Sequence, residues 1–364
     1  MKKSLLAIAI AAAVPAVASA QITLGGLVDA GVVRADNGAK TKTLLTTSDR
    51  SSNHIRMTGE EKIGDLTALF HLEFGYDIDS GAFNSPVTTS ATTPAGTGLG
   101  FTRRAVVGVK GGWGEIRAGR DYTPIFNATH QMATVHSTSG FASTLGYLNA
   151  AAGGTKIVGA DIRMSNAIFY NSPVMGGLSV QLANTFGNFG NSGGYEDIAN
   201  PNYGTGTSAT VRYDQGPFGA HVSNLSEKDY AGGKKEAVAF GGKFTQGPFQ
   251  VSLGNQNTET TSSAGVKVEN KVNYFGAAFT MGATRFSVQQ GRVKVTGLAN
   301  GDSTSTSFLV NHSLSKRTAI YGSYGVVDNG AAQNIGVRSN GITVGASALG
   351  KDPSAFGFGL VHSF

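Results

Sequence analysis

No cysteine occurs among the 364 residues, so disulfides and thiolate metal ligation are excluded and the fold rests on hydrogen bonds and burial alone. Proline is scarce at nine residues, tryptophan occurs once, and charged residues make up 14% of the chain. Beyond the first twenty residues no apolar run approaches the roughly 20 residues that a spanning helix requires. Mean hydropathy is −0.06, far below that of a helical membrane protein. The net charge of +6 is spread thinly, without runs of Lys/Arg interleaved with aromatics, and is too diffuse to point to nucleic acid. Glycine is abundant instead: 52 residues suit many strands and turns, with small residues where a wall is crowded.

The last ten residues carry the strongest pattern. Phe356, Phe358, Leu360 and Phe364 alternate with small residues, and the chain stops on the aromatic. A period of two puts them on one face of a strand. An apolar terminal strand with a free edge would recruit other chains. A barrel that pairs its last strand with its first has no such edge, and in a bilayer the apolar face points at lipid. At the other end, Lys2 and Lys3 precede the apolar run Leu5 to Val17 and the small-x-small sequence Ala18-Ser19-Ala20. This reads as a cleaved secretory signal over residues 1–20, with a mature chain over 21–364; the run is too short for a membrane anchor. Loss of the two lysines lowers the charge to about +4.

Seven tight turn signals divide the mature chain. They are Ile63-Gly64-Asp65-Leu66, Gly111-Gly112-Trp113-Gly114, Met175-Gly176-Gly177, Gly216-Pro217-Phe218, Gly247-Pro248-Phe249, Met281-Gly282-Ala283 and Ser315-Lys316-Arg317. Eight hairpins follow, hence a 16-stranded antiparallel transmembrane β-barrel in a single domain, with both termini at one rim. The connections Asp79 to Gly100, Gly187 to Gly206 and Asp328 to Ser354 read as solvent loops on the outer side. The connection from about 121 to 160 differs. It is some forty residues long and carries Pro124, Phe126, Phe141, Leu145 and Tyr147, enough apolar matter to fold inward against the barrel wall.

Five segments carry a resemblance: Leu27-Val28-Asp29-Ala30-Gly31, Ala118-Gly119-Arg120-Asp121-Tyr122-Thr123-Pro124, Ser165 to Pro173 (SNAIFYNSP), Leu314-Ser315-Lys316-Arg317-Thr318, and Val361-His362-Ser363-Phe364. In this order the chain resembles Gram-negative outer-membrane general porins of the betaproteobacterial and neisserial type, from the signal peptide to Phe364. The resemblance implies a homotrimer of sixteen-stranded barrels, a third extracellular loop folded into each lumen as a constriction, and outer-membrane lipids and lipopolysaccharide as surroundings. It also implies that Phe364 serves as the signal read by the barrel-assembly machinery.

A diffusion pore for small ions and solutes needs no catalyst and no cofactor. It needs a narrow waist whose fixed charge biases entry. In the second strand, Ile55 and Met57 alternate with His54, Arg56 and Thr58, so the polar set should face inward. Related porins carry an arginine where His54 stands and a glycine where Arg56 stands; the positive charge is displaced by two residues along one face. Arg103 and Arg104 are adjacent, and parity lets one of them face the lumen. The hydrophobic pattern does not choose between them; the resemblance selects Arg103 and turns Arg104 outward. Arg163 shares a face with Ser165, with Met164, Ile168 and Tyr170 outward, and it matches a wall arginine of the family. Arg117 shares a face with Glu115 and Gly119 and is expected to add to the set, paired to Glu115. Tyr122 to Ala160 holds no Asp or Glu, only Lys156, His130 and His136 among titratable loop groups of interest. The waist is therefore expected to be positive with little opposing charge and the channel anion-selective, with Arg56, Arg103 and Arg163 setting the field.

The remaining candidates read more plainly. The loop histidines are loop residues rather than metal ligands, and no metal is expected. Asp29 is a lumen charge or, preferably, a periplasm-side polar residue. Tyr170, Phe218, Phe249, Tyr274 and Phe364 are expected in interfacial belts. Asn311-His312-Ser313 is the one trio that invites an enzymatic reading, but no acidic partner accompanies it, and no enzyme is expected. A structural or adhesin barrel without an open pore is the alternative; it would be filled by side chains. No plug domain or passenger domain is expected, since the first strand is read to follow Ala20 almost at once.

Overall fold

Alternation is the local rule from which the fold follows: apolar residues at every second position give each strand one lipid face and one water face. The computed structural model describes residues 21–84, 100–135, 162–187, 204–228, 232–338 and 343–364. The N-terminal twenty residues and most of the Asp79–Gly100 and Gly187–Gly206 loops lie outside the described residues, as do His136, Phe141, Leu145, Tyr147 and Lys156.

The first half of the wall comprises β1 (Gln21–Asp36), β2 (Thr41–Thr47), β3 (His54–Ile63), β4 (Leu66–Tyr76), the short β5 (Phe83–Asn84), β6 (Arg104–Gly111), β7 (Gly114–Tyr122), β8 (Arg163–Asn171) and β9 (Leu178–Thr185). The second half comprises β10 (Gly206–Gln215), β11 (Phe218–Lys228), β12 (Lys234–Gln246), β13 (Phe249–Thr261), β14 (Lys267–Met281), β15 (Thr284–Val295), β16 (Ser303–Ser313) and β17 (Thr318–Asn329). A two-residue pair, β18 (Val337–Arg338) and β19 (Thr343–Val344), precedes the closing strand β20 (Ser354–Ser363). Among the described residues one helix, α1 (Pro124–Met132), follows β7. β2 and β3 both pair with β1, on its two halves, and act as one wall strand interrupted at residues 48–53. The wall is thus a closed sixteen-strand antiparallel barrel.

Closure is made by β20 lying between β1 and β17, with Leu27 opposite Ser363 and Asp36 opposite Ser354. The backbones of Gly26 and Phe364 extend this seam with reciprocal hydrogen bonds of 3.0 and 3.1 Å. All seven expected turns join antiparallel neighbours at the rim shared by the termini. Gly216 and Gly247 sit at the first central position of their two-residue turns with φ of +58° and +55°. A proline follows each and cannot take positive φ, which leaves the type II′ hairpin turn and requires glycine there.

The two faces differ as lipid and water demand. Val32, Leu45, Val107, Val222, Phe275 and Phe358 all stand exposed on the outer face. Ser303, Ser305, Ser307, Gln289 and Gln256 are buried on the inner one. Phe218 packs at a tilt on Phe244 (5.2 Å between centroids) and Phe249 on Phe279 (4.9 Å), forming an aromatic girdle beside the short turns. Tyr274 departs from the expected belt. It faces inward and is 5% exposed, in the space that Gly254, its ladder partner, leaves by having no side chain.

The last long connection also departs from expectation. Ile335 and Val337 are buried against Val33, Val293, Val327 and Ala355, so part of the Asp328 to Ser354 loop folds down into the outer mouth instead of standing in solvent. Asn329 secures it by donating to the carbonyls of Ile335 (2.9 Å) and Lys351 (2.7 Å).

Candidate functional site

The sheet stops at Tyr122 and the chain turns into the lumen. The side-chain oxygen of Thr123 accepts from the Phe126 N–H (3.3 Å) and caps α1, and Pro124 occupies the first turn, where a missing N–H costs nothing. Ile125 packs with Met164 and Phe169 of β8, Ala183 of β9, Leu225 of β11 and Ala237 and Ala239 of β12, all on lumen faces. Beyond the helix, Thr134 Oγ1 donates to the Val288 carbonyl (3.2 Å), close over Gly276, where a Cβ would collide with it. Val135 then joins Leu309, Ala319, Tyr321 and Val361 on the far wall. The inward course expected for the third loop is therefore present from Thr123 to Val135; β7 runs two residues past the expected start of the loop at Asp121.

The ladder places the wall arginines. β4 and β6 pair Glu73 with Arg104 and His71 with Val106, which puts Arg104 on the lumen face. The expectation that Arg104 points outward is corrected. Arg103 precedes the ladder and is not bound by its alternation, so it also reaches inward: its Nε lies 2.5 Å from Glu73 Oε1 and its terminal nitrogen donates to the Tyr122 hydroxyl at 2.9 Å. Arg163 donates to the same hydroxyl at 2.9 Å and lies over the Tyr122 ring at 4.5 Å. Tyr122 stacks in turn on Phe126 of α1 (5.1 Å). The ring thereby ties two guanidinium groups of the wall to the root of the inward loop.

Other expectations about this wall change. Met164 is fully buried under α1, not outward, because Asn166 adopts φ +48° and the β7–β8 register shifts between Gly119 and Asp121. Opposing charge is not small. It comes from the wall instead of the loop: Glu73 holds Arg103 and His71 (3.2 Å), and Asp121 holds Arg104 (2.8 Å) and Arg117, which also meets Glu115 at 2.7 Å. His54 and Arg56 do face the lumen, opposite Gly75 and Glu73. Among the described residues no carboxylate lies in ion-pair range of Arg56 or Arg163.

One further arginine escaped the sequence reading. The break at residues 48–53 folds inward around Asp29, which is fully buried on the lumen face and is not a rim residue. Its carboxylate accepts from the N–H groups of Arg50 (2.8 Å) and Ser51 (2.5 Å) and from the Tyr321 hydroxyl (2.6 Å). The Asp29 N–H donates to Asn53 Oδ1 (2.5 Å). This knot aims the Arg50 side chain at the loop. The signal was present in the sequence: the polar run Ser48-Asp49-Arg50-Ser51-Ser52-Asn53 interrupts the alternation expected of a continuous strand.

Among the described residues, the lumen near the short turns holds cavities of unlike character. One, of about 510 Å³, is lined by Glu60, His71, Arg104, Glu115 and Arg117. Another, of about 430 Å³, lies against the loop residues His130, Gln131, Ala133 and Thr134 and is lined by Arg50, Arg212, Lys243 and Arg285. His130 stacks on Phe126 (5.5 Å), and burial pushes its pKa below the usual imidazole value. His312, from the trio beside the last short turn, meets the Thr284 hydroxyl at 2.8 Å through Nδ1.

Comparison with known proteins adds to this geometry. Outer membrane porin protein 32 of Delftia acidovorans is 29% identical over 380 residues, spanning all of both chains. A major outer membrane protein P.IB of Neisseria gonorrhoeae is 35% identical over 136 residues, 35% of this chain and 34% of its own. Among solved structures, an anion-selective porin from Comamonas acidovorans superposes with a TM-score of 0.80 at 24% identity, over 95% of this chain and 100% of its own. The trimer form of OmpT from Vibrio cholerae gives 0.68 at 14% identity, over 95% and 99%. The structural likenesses carry the fold. Residues 6–332 match the Gram-negative porin family, and with a closed barrel entered by its own third loop the chain belongs to that family.

Proposed function

We propose that this outer-membrane porin passes small hydrophilic solutes and ions by passive diffusion with a preference for anions, and that Arg56, Arg103 and Arg163, with His54 and Arg117 beside them, form the field-setting wall of its waist. The observation that carries the reading is that Arg56 and Arg163 face the lumen without a carboxylate in ion-pair range among the described residues. Low-dielectric walls focus such a field, so charges without a direct ion-pair partner at a narrow point outweigh many at the rim. An anion-selective porin from Comamonas acidovorans shares the fold, which fits the reading. The protein acts as a homotrimer, as the trimer form of OmpT does, and carries no enzymatic activity. Lys156 adds positive charge to the inward loop, Phe364 serves as the assembly signal, and residues 1–20 are a cleaved signal peptide.

Reversal potentials across a planar bilayer in a salt gradient test the selectivity. The native protein is expected to favour chloride over potassium, and Arg56→Ala and Arg163→Ala to reduce that preference singly and more strongly together. A native channel that prefers potassium would overturn the charge assignment.

A further inference from the structure

The basic cavity under α1 has features that a plain water-filled vestibule does not require. Its four cations come from separate parts of the fold. Arg212 of β10, Lys243 of β12 and Arg285 of β15 lie on lumen faces, opposite His221, Ser252 and Asn311 in their ladders. Arg50 reaches the same cavity from the inward knot on the other side of the barrel. All three strand residues stand within four positions of a short turn, so the cluster occupies the lumen between the loop and the periplasmic rim.

Compensation there is incomplete. Asp214 is shared by Arg212 and by Lys243, whose Nζ lies 3.4 Å from it. Arg285 is held at 2.7 Å by the neutral Gln250 oxygen, which orients the guanidinium without cancelling its charge. Arg50 lies beside the Asp29 carboxylate and donates through Nη1 to Ser51 Oγ (3.3 Å), while its Nε is sheltered from solvent and has no hydrogen-bond partner, so the excess of the cluster rests on Arg285 and on the Arg212–Lys243 pair that shares one carboxylate. Gln131, Thr134, Ser287 and Asn311 supply neutral polar groups around the same space. The neighbouring cavity presents Glu60 and Glu115 among its cations and offers no comparable excess.

We infer that this cavity is a binding station for a small oxyanion carrying two or more negative charges, held by Arg50, Lys243, Arg285 and Arg212 after it passes the waist. Chloride offsets one of these charges and leaves the others facing each other. A doubly charged oxyanion meets several at once, with planar guanidinium forks matched to its oxygens. The inference rests on the anion-preferring reading of the channel but places the tightest contact away from Arg56, Arg103 and Arg163.

Inorganic sulfate is a suitable probe, because its charge of −2 does not change across the working pH range. Titration calorimetry of the purified full-length mature protein in detergent, in a chloride background, measures binding; reversal potentials measure selectivity separately. The native protein is expected to bind sulfate in excess over chloride. Lys243→Gln and Arg285→Gln are each expected to weaken sulfate about tenfold or more, with the chloride preference largely kept. Arg56→Ala and Arg163→Ala should do the reverse. Two single variants are used so that a failure of one to fold, seen as loss of β circular dichroism, leaves the other to decide. No sulfate binding by the native protein, sulfate held only as an adventitious ion with chloride-like affinity, or binding unchanged in both glutamine variants would overturn the station while leaving the selectivity reading standing. A potassium-preferring native channel would overturn the selectivity reading, and sulfate binding lost in the glutamine variants would still uphold the station.

Discussion

Tyr321 and Asp29, 292 residues apart in sequence, meet at 2.6 Å through the phenol hydroxyl and a carboxylate oxygen. The bond crosses the closing strand: Tyr321 on β17 reaches Asp29 on β1 by passing over Gly359 of β20, where a Cβ would collide with the phenol. One contact thus joins the first strand, the last two wall strands and the knot that carries Arg50. Tyr321→Phe is expected to cost about 1–3 kcal/mol, because it leaves a buried carboxylate with one donor fewer. It should lower the thermal unfolding midpoint in detergent and also alter single-channel conductance through a loosened Arg50. An unchanged midpoint would show that the hydroxyl contributes nothing to the seam.

A second seam contact is steric. The Phe364 ring lies over Gly26, and an added Cβ there would stand at 2.5 Å from it and at 2.6 Å from the His54 carbonyl oxygen. Gly26→Ala is expected to displace the ring and cost about 1–3 kcal/mol by overpacking. The heat-modifiable electrophoretic mobility of the refolded protein reports the folded fraction, which should fall. A fraction equal to the parent's would mean that the ring and the His54 backbone both give way at little cost.

Glu73 is the carboxylate that tempers the wall arginines, with Arg103 at 2.5 Å and His71 at 3.2 Å. Glu73→Gln removes one negative charge from a partly dry wall and frees the Arg103 charge into the lumen. The reversal potential should move further toward the chloride limit, opposite in sign to the Arg163→Ala shift. Movement toward potassium would contradict the placement of Glu73 at the waist.

Acid should loosen the loop's seat through His130. Burial holds its pKa below the ordinary value of 6.5, so the folded protein resists a proton that the unfolded chain accepts. The sign follows: no penalty above about pH 6.5, and a stability that falls as pH drops below it, until the folded group itself protonates. His130→Gln should show a smaller drop in thermal midpoint between pH 7 and pH 5 than the parent. Equal drops would assign the acid sensitivity elsewhere.

Barrel, strand number and turns were legible because they depend on period and punctuation, both written locally in the chain. The alternation from Ala355 to Phe364 and the glycines of the short turns are such signals. What failed were inferences that carried parity across an irregularity. Arg103 and Arg104 both face inward because the ladder starts between them, and Met164 turns inward because Asn166 breaks the strand's alternation. Tyr274 was placed in the belt by residue type, yet its position opposite Gly254 gives it room inside. The charge of the waist was misjudged for another reason: its counter-ions, Glu73 and Asp121, stand on the wall beside the arginines, and adjacency across strands is not visible in the order of residues. Arg50 was overlooked because it sits in an interruption, where neither strand nor loop rules apply.

The path from α1 to Val135 begins on the β8–β12 wall and ends against β16, β17 and β20. A tube one sheet thick flattens easily when squeezed from the side. With this tie-rod fixed at both ends, the cross-section resists becoming oval, and throughput should hold steady as the surrounding bilayer stiffens, thins or crowds.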